Sequence, residues 1–182
     1  MVNVIWRWSF WSVARCLAAG TVSFREVSLP NEILKNGLDL ACIRLELTAT
    51  TRDAAIMELI GLLHKKHRLR NMEEIVRVVM EREAKMSTSL ENGLAVPHGK
   101  AASLDRLLVA VGLKQKGIDF KSADGQPSRI IILILSSSVQ TGPHVRCLAE
   151  IGRLLQSESN RKKLLAAKDA ETVLKMLTDT GI

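Results

Sequence analysis

Arg129-Ile130-Ile131-Ile132-Leu133-Ile134-Leu135 is an unbroken apolar run dominated by isoleucine. A strand with one wet face would alternate apolar and polar residues. A run apolar at every position reads as a central strand covered on both faces. Ser136-Ser137-Ser138 ends the run, and Pro143 fits the first turn of a helix continuing to about Gln156. Shorter helices are predicted at about 159–166 and 170–178. Upstream, residues 107–113 form a second strand candidate. Residues 114–126 read as a connection, with a short extended piece near Ile118-Asp119-Phe120 and a turn at Asp124-Gly125.

Further toward the N-terminus, the second half of 38–47 alternates apolar and charged residues, as a half-buried strand does. Thr50 followed by Asp53 resembles a capping box, and Ala54, Ile56, Met57, Ile60, Leu62 and Leu63 recur at helical spacing. Asn71 with Glu74 opens a second helix carrying Ile75, Val78 and Val79 and ending near Ala84. Residues 86–93 are small and polar and read as a loop, and 94–96 as a short buried strand. Strands and helices interleave, so the fold class is α/β: one domain at 26–182, a mixed β-sheet with helices on its faces. A chain of 182 residues suits one such core.

Residues 1–25 stand apart. They hold all three Trp, two of the three Phe and no acid, and Arg7 and Arg15 interrupt their apolar character. That breaks the uncharged run a membrane span needs, and Arg15 sits where a signal peptide would be apolar. An interfacial amphipathic helix is an alternative. We expect an extension separate from the domain, either poorly ordered or upstream of the natural start, and no stable membrane insertion.

Composition narrows the function. The net charge is +7, but three of the 26 basic residues, Arg7, Arg15 and Arg25, precede Glu26, the first of 19 acids. The dense basic run His64-Lys65-Lys66-His67-Arg68-Leu69-Arg70 reads as a helix end, where cations suit the dipole, with His64 and His67 solvated. Aromatics are scarce, so stacking on single-stranded nucleic acid has no platform, and no nucleic-acid partner is expected. Cys16, Cys42 and Cys147 are widely spaced without a metal-ligand pattern. Cys42 and Cys147 read as buried small hydrophobes in a reducing cytoplasm, and no metal or cofactor is expected.

His98 and His144 each follow a proline and lie beside a strand or helix end, where α/β sheets place ligands. A core histidine held by a backbone hydrogen bond is the simpler reading of His98. Its surroundings favour function: Pro97 fixes the chain before it, Gly93 and Gly99 allow close approach, and Ser87, Thr88, Ser89 and Asn92 offer donors for oxyanions.

Ser87-Thr88 followed by Asn92-Gly93-Leu94-Ala95-Val96-Pro97-His98-Gly99 resembles the active-site motif of enzyme IIA domains of the fructose/mannitol type. These belong to the bacterial phosphoenolpyruvate-dependent phosphotransferase system. Asp124-Gly125-Gln126-Pro127 before the long apolar strand, and His144 leading a helix with Leu148 and Leu154-Leu155, extend the likeness. Within the family the chain is most similar to the nitrogen-regulatory branch. The resemblance implies a phosphotransferase component with a phosphohistidine intermediate. His98 would accept the phosphoryl group from the histidine-containing phosphocarrier protein. Arg82 would stabilise phosphoryl charge and His144 would support it, with Ser87, Thr88, Asn92 and Gly99 in the binding loop. The phosphate would pass to a sugar-transporting IIB component or serve nitrogen- or potassium-type regulation. The alternative is a binding module whose phosphorylation state controls a transporter, kinase or transcription factor without onward transfer, as the lack of a IIB or IIC domain in the chain favours. Two departures matter: family members commonly carry glycine where this chain has Ser89 and Glu91, and Glu91 is expected to bring negative charge near the phosphoryl site.

Overall fold

A computed structural model describes residues 32–179. The extension read at 1–25, Cys16 and the domain boundary at residue 26 lie outside the described residues. In chain order the elements are α1 (Glu32–Gly37), β1 (Leu38–Arg44), α2 (Arg52–His67), α3 (Met72–Lys85), β2 (Ser89–Leu90), β3 (Leu94–Ala95), β4 (His98–Ala101), β5 (Leu108–Ile118), β6 (Ser128–Ser137), α4 (Thr141–Gln156), α5 (Glu158–Ala166) and α6 (Ala170–Thr178).

The strands make one mixed sheet in the order β1-β5-β6-β3-β2, with β4 also paired to β6. β5 and β6 run antiparallel, while β1 is parallel to β5. β3 and then β4 run parallel to β6 along its other side. β6 is therefore the central strand that its apolar run predicts. Its alternate residues feed two cores: Ile131, Leu133 and Leu135 pack toward α2 and α3, and Ile130, Ile132 and Ile134 toward α1, α4, α5 and α6. All six are at most 1% exposed. That double burial explains why no polar residue interrupts the run. Cys42 and Cys147 are buried in opposite cores, as their apolar settings predict.

Local details differ from expectation for identifiable reasons. α2 starts one residue later than the Thr50 signal: Thr51 caps it, accepting from the Ala54 N–H at 3.3 Å, while Asp53 pairs with Arg52. The helix runs through the basic segment to His67 and ends at Arg68 in the left-handed conformation. His67 is half-buried rather than solvated, because its ring lies between Cys42 and Arg106. β5 continues to Ile118 through an irregularity at Gly117 (φ 72°), so the segment 114–118 of the expected connection is strand. The loop at 86–93 contains the two-residue β2. α1 has too few residues to show a period, yet it buries Leu34. His98 opens β4 rather than closing the strand before it.

Gly99 fixes the distance between α3 and β4. A Cβ there would lie 2.8 Å from Val79 Cγ2, 3.0 Å from Val78 Cγ2 and 3.3 Å from the Val79 backbone nitrogen. Gly99→Ala is expected to push the helix from the strand and cost about 1–3 kcal/mol, as overpacked cores do. Urea denaturation would read this as a lower midpoint at unchanged slope; an unchanged midpoint would show that the valines yield freely.

Candidate functional site

β4 alternates its side chains, so Gly99 faces α3 while His98 and Lys100 point to the other side, toward α4. His98 is half-buried, and its two ring nitrogens have separate partners. Nδ1 lies 2.8 Å from the Val96 carbonyl oxygen, which can only accept, so Nδ1 carries the proton. Nε2 is then the lone-pair nitrogen, and it accepts from Arg82 Nε at 3.1 Å. The two contacts select one tautomer. Burial is the main reason that the His98 pKa lies below its ordinary 6.5; the Val96 bond opposes the shift, and the Arg82 charge adds to it. The ring is thus held neutral, the form with a nucleophilic nitrogen near neutral pH.

Arg82 occupies the last turn of α3, and its Nη1 also donates to the Met86 carbonyl at 2.9 Å. The turn after the helix therefore steadies the guanidinium that meets His98. His144 comes from the first turn of α4 and is 3% exposed. Its ring centroid is 5.4 Å from that of His98, at 63° between planes, and its Nδ1 lies 2.8 Å from Ser136 Oγ in β6. Burial first, then the nearby His98 and Lys100, push the His144 pKa down to about 4.

Between α3, β4 and α4 lies an open pocket of about 390 Å³, whose walls include Val78, Glu81, Arg82, Lys85, Lys100 and Leu148 beside the two histidines. Arg82, Lys85 and Lys100 outnumber Glu81, so the pocket suits an anion against Nε2. Lys100 is anchored to Thr141 Oγ1 at 3.2 Å. Sequence reasoning missed Lys100 and Lys85. The signals were available: Lys100 stands two residues from His98 on one strand face, and Lys85 three from Arg82 on one helix.

The structure brings His98, Arg82, His144 and Gly99 together and places the other expected residues elsewhere. Ser87 Oγ donates to the Phe120 carbonyl at 2.5 Å. Thr88 is buried, and both its N–H and its hydroxyl donate to the buried Glu83 carboxylate. Those donors are consumed in holding the 86–93 loop against α3, because a buried carboxylate needs partners. Asn92 adopts a left-handed backbone (φ 66°) and donates its N–H to Asp124 Oδ2 at 2.8 Å. Asn92 and Glu91 line a different cavity, beside Gly152, Leu155 and Arg161. The charge expected from Glu91 therefore does not line the pocket at His98; Glu81 is the acid there. Among the described residues no group of three or more His, Cys, Asp or Glu is arranged to hold a metal ion.

Residues 37–180 match the family model described as "Phosphoenolpyruvate-dependent sugar phosphotransferase system, EIIA 2". A "Nitrogen regulatory protein" of Bradyrhizobium diazoefficiens is 34% identical over 107 residues, covering 59% of this chain and 70% of that protein. The "PTS system fructose-specific EIIABC component" of Bacillus subtilis is 28% identical over 135 residues, or 74% of this chain; the chain spans only 21% of that protein's length. Among solved structures, the nitrogen regulatory protein IIA-Ntr from Neisseria meningitidis is similar with a TM-score of 0.73 and 27% identity, covering 81% of this chain and 98% of that one.

His144, buried, and His98, half-buried, are both held neutral and give the fold a pH signature. Their folded pKa values lie below the ordinary 6.5, so the folded state binds fewer protons than the unfolded chain as pH falls. Their contribution to stability is present above about 6.5 and is lost on acidification, for His144 down to about 4. The wild-type urea midpoint should drop between pH 7 and pH 4.5, more steeply than that of His144→Gln. Parallel drops in the two proteins would assign the loss to the carboxylates instead.

Proposed function

The chain belongs to the EIIA 2 family of the phosphoenolpyruvate-dependent sugar phosphotransferase system, and we propose that it carries a phosphoryl group on His98 Nε2. The observation that carries this reading is the division of labour on the His98 ring. Nδ1–H is occupied by the Val96 carbonyl, while Nε2 faces the pocket with its lone pair and meets Arg82. The donor would be a phosphohistidine on the phosphocarrier protein. Nε2 attacks phosphorus in line; the new N–P bond forms as the donor's N–P bond breaks, and the bonding pair returns to the donor imidazole. The His98 ring becomes cationic as the bond forms. Its Nδ1–H bond to Val96 spreads that charge, and no proton need leave.

Arg82 can turn its N–H groups from Nε2 to the phosphoryl oxygens, with Lys100 and Lys85 adding positive charge. His144, neutral near pH 7, is placed to donate a hydrogen bond from Nε2 when Ser136 satisfies its Nδ1. The first turn of α4 brings the positive end of a sixteen-residue helix to the same side.

The phosphate then leaves for a IIB component or stays as a signal. Similarity to a nitrogen regulatory protein over 70% of its length favours the regulatory use, in which the phosphorylation state controls docking on a transporter or kinase. A phosphocarrier donor implies a cytoplasmic location for this reading; among the described residues no helix is long and apolar enough to cross a membrane.

Incubation with phosphoenolpyruvate, enzyme I and the phosphocarrier should add one phosphoryl group by mass, and His98→Ala should abolish the gain. Arg82→Gln should slow phosphorylation by about 10²–10³-fold, the usual loss when one preorganised donor is removed. Full labelling of His98→Ala would overturn the assignment.

A further inference from the structure

The basic run at the end of α2 has a partner segment that its sequence does not announce. Arg68 and Arg70 meet Arg106, from the loop between β4 and β5, around a polar pocket of about 440 Å³. Asp105 is the one acid in its lining. Two further acids lie nearby and both are engaged: Asp39 pairs with Lys66 at 2.8 Å, and Glu74 accepts from the Ala102 N–H. Among the described residues, Arg68 and Arg70 make no side-chain hydrogen bond or ion pair. Complementing the α2 dipole accounts for cations on the helix end itself. It does not account for Arg106, which approaches from another segment and is repelled by the other two arginines.

The walls are held in place. Arg68 is locked as the left-handed cap of α2, its N–H donating to the His64 carbonyl. The His64 ring donates from Nδ1 to the Leu69 carbonyl at 3.2 Å, and Leu69 is buried, so the two flanking arginines are fixed on the backbone. Arg106 Nη2 donates to His67 Nδ1 at 3.2 Å. His67 must therefore be neutral, with its Nε2–H toward Cys42 Sγ 3.9 Å away. On the other wall, the Ala102 N–H is tied to Glu74 Oε1 at 2.9 Å.

We propose that this pocket binds a small polyanion through its phosphate groups. Guanidinium forks match phosphoryl oxygens in pairs, and the volume lies in the range of small-molecule sites. The pocket is distinct from the phosphoryl site: its wall begins at Ala102, four residues and roughly 13 Å along an extended chain from His98. The proposal does not depend on His98 being phosphorylated.

The test is titration of the full chain with pyrophosphate, followed by amide NMR shifts and calorimetry. Wild type, Arg68→Gln/Arg106→Gln and, as a control for the His98 pocket, Arg82→Gln are compared, with ATP and citrate as further probes. The proposal expects saturable binding, shifts centred on residues 68–70 and 102–106, and affinity at least about tenfold weaker in the double variant, equivalent to 1.4 kcal/mol. Arg82→Gln should leave those shifts intact, and pyrophosphate or ATP should bind more tightly than citrate. Phosphorylation of the double variant, measured separately, reports on the His98 reading alone. Absence of saturation at millimolar pyrophosphate, shifts confined to the His98 pocket, unchanged affinity in the double variant, or preference for citrate would overturn the proposal. So would steeply salt-dependent binding of duplex DNA that pyrophosphate fails to displace.

Discussion

The parallel ladder that β6 makes with two short strands in succession, first Leu94–Ala95 and then His98–Ala101, positions the groups around His98. The step between them is Val96-Pro97. Proline has no N–H to give a ladder, but its carbonyl still accepts from the Ile134 N–H at 3.0 Å, so registration against β6 survives the break. Within the break, the Val96 carbonyl accepts from the ring of the residue two places on. One interruption of a strand thus fixes both the place of His98 and its tautomer.

Around that point the polar groups fall into two sets. Glu83 and Thr88 face inward, and the buried carboxylate fastens the 86–93 loop to α3. Arg82, one residue before Glu83, faces the pocket. Two adjacent residues of opposite charge thereby divide the tasks of holding the loop and contacting the His98 ring. Ser136 and His144 repeat the arrangement on the other wall, where a buried hydroxyl orients a ring lying against His98.

Much of this was legible in the sequence where the signal was local and one-dimensional. An all-apolar run specifies a central strand, because both its faces must be covered. Proline and glycine flanking His98 mark a constrained backbone. Where a side chain points was not legible in a loop without a period. Ser87 and Thr88 have the chemistry of oxyanion donors, but Phe120 and Glu83, distant or on another element, claim them. His67 carries the same lesson: it looks solvated within a run of cations, and only the docking of Arg106 and Cys42 shows that its ring is engaged. Conversely, the strand period placed Lys100 beside His98 once β4 was recognised. The proline between β3 and β4 concealed the second strand by looking like the end of the first.

Among the described residues the outer strand β1 pairs with β5 alone, which leaves its other margin without a strand partner there. Its register slips between Leu38 and Ile43, and Asp39 folds back to accept from the Ala41 N–H at 2.9 Å while pairing with Lys66. An extended margin of free N–H and C=O groups is a template on which a second chain can add a strand. Here the register is interrupted between Leu38 and Ile43, and the Asp39–Lys66 pair sets charge beside the break. Charge and an interrupted register at a sheet edge are features that disfavour the addition of a further strand.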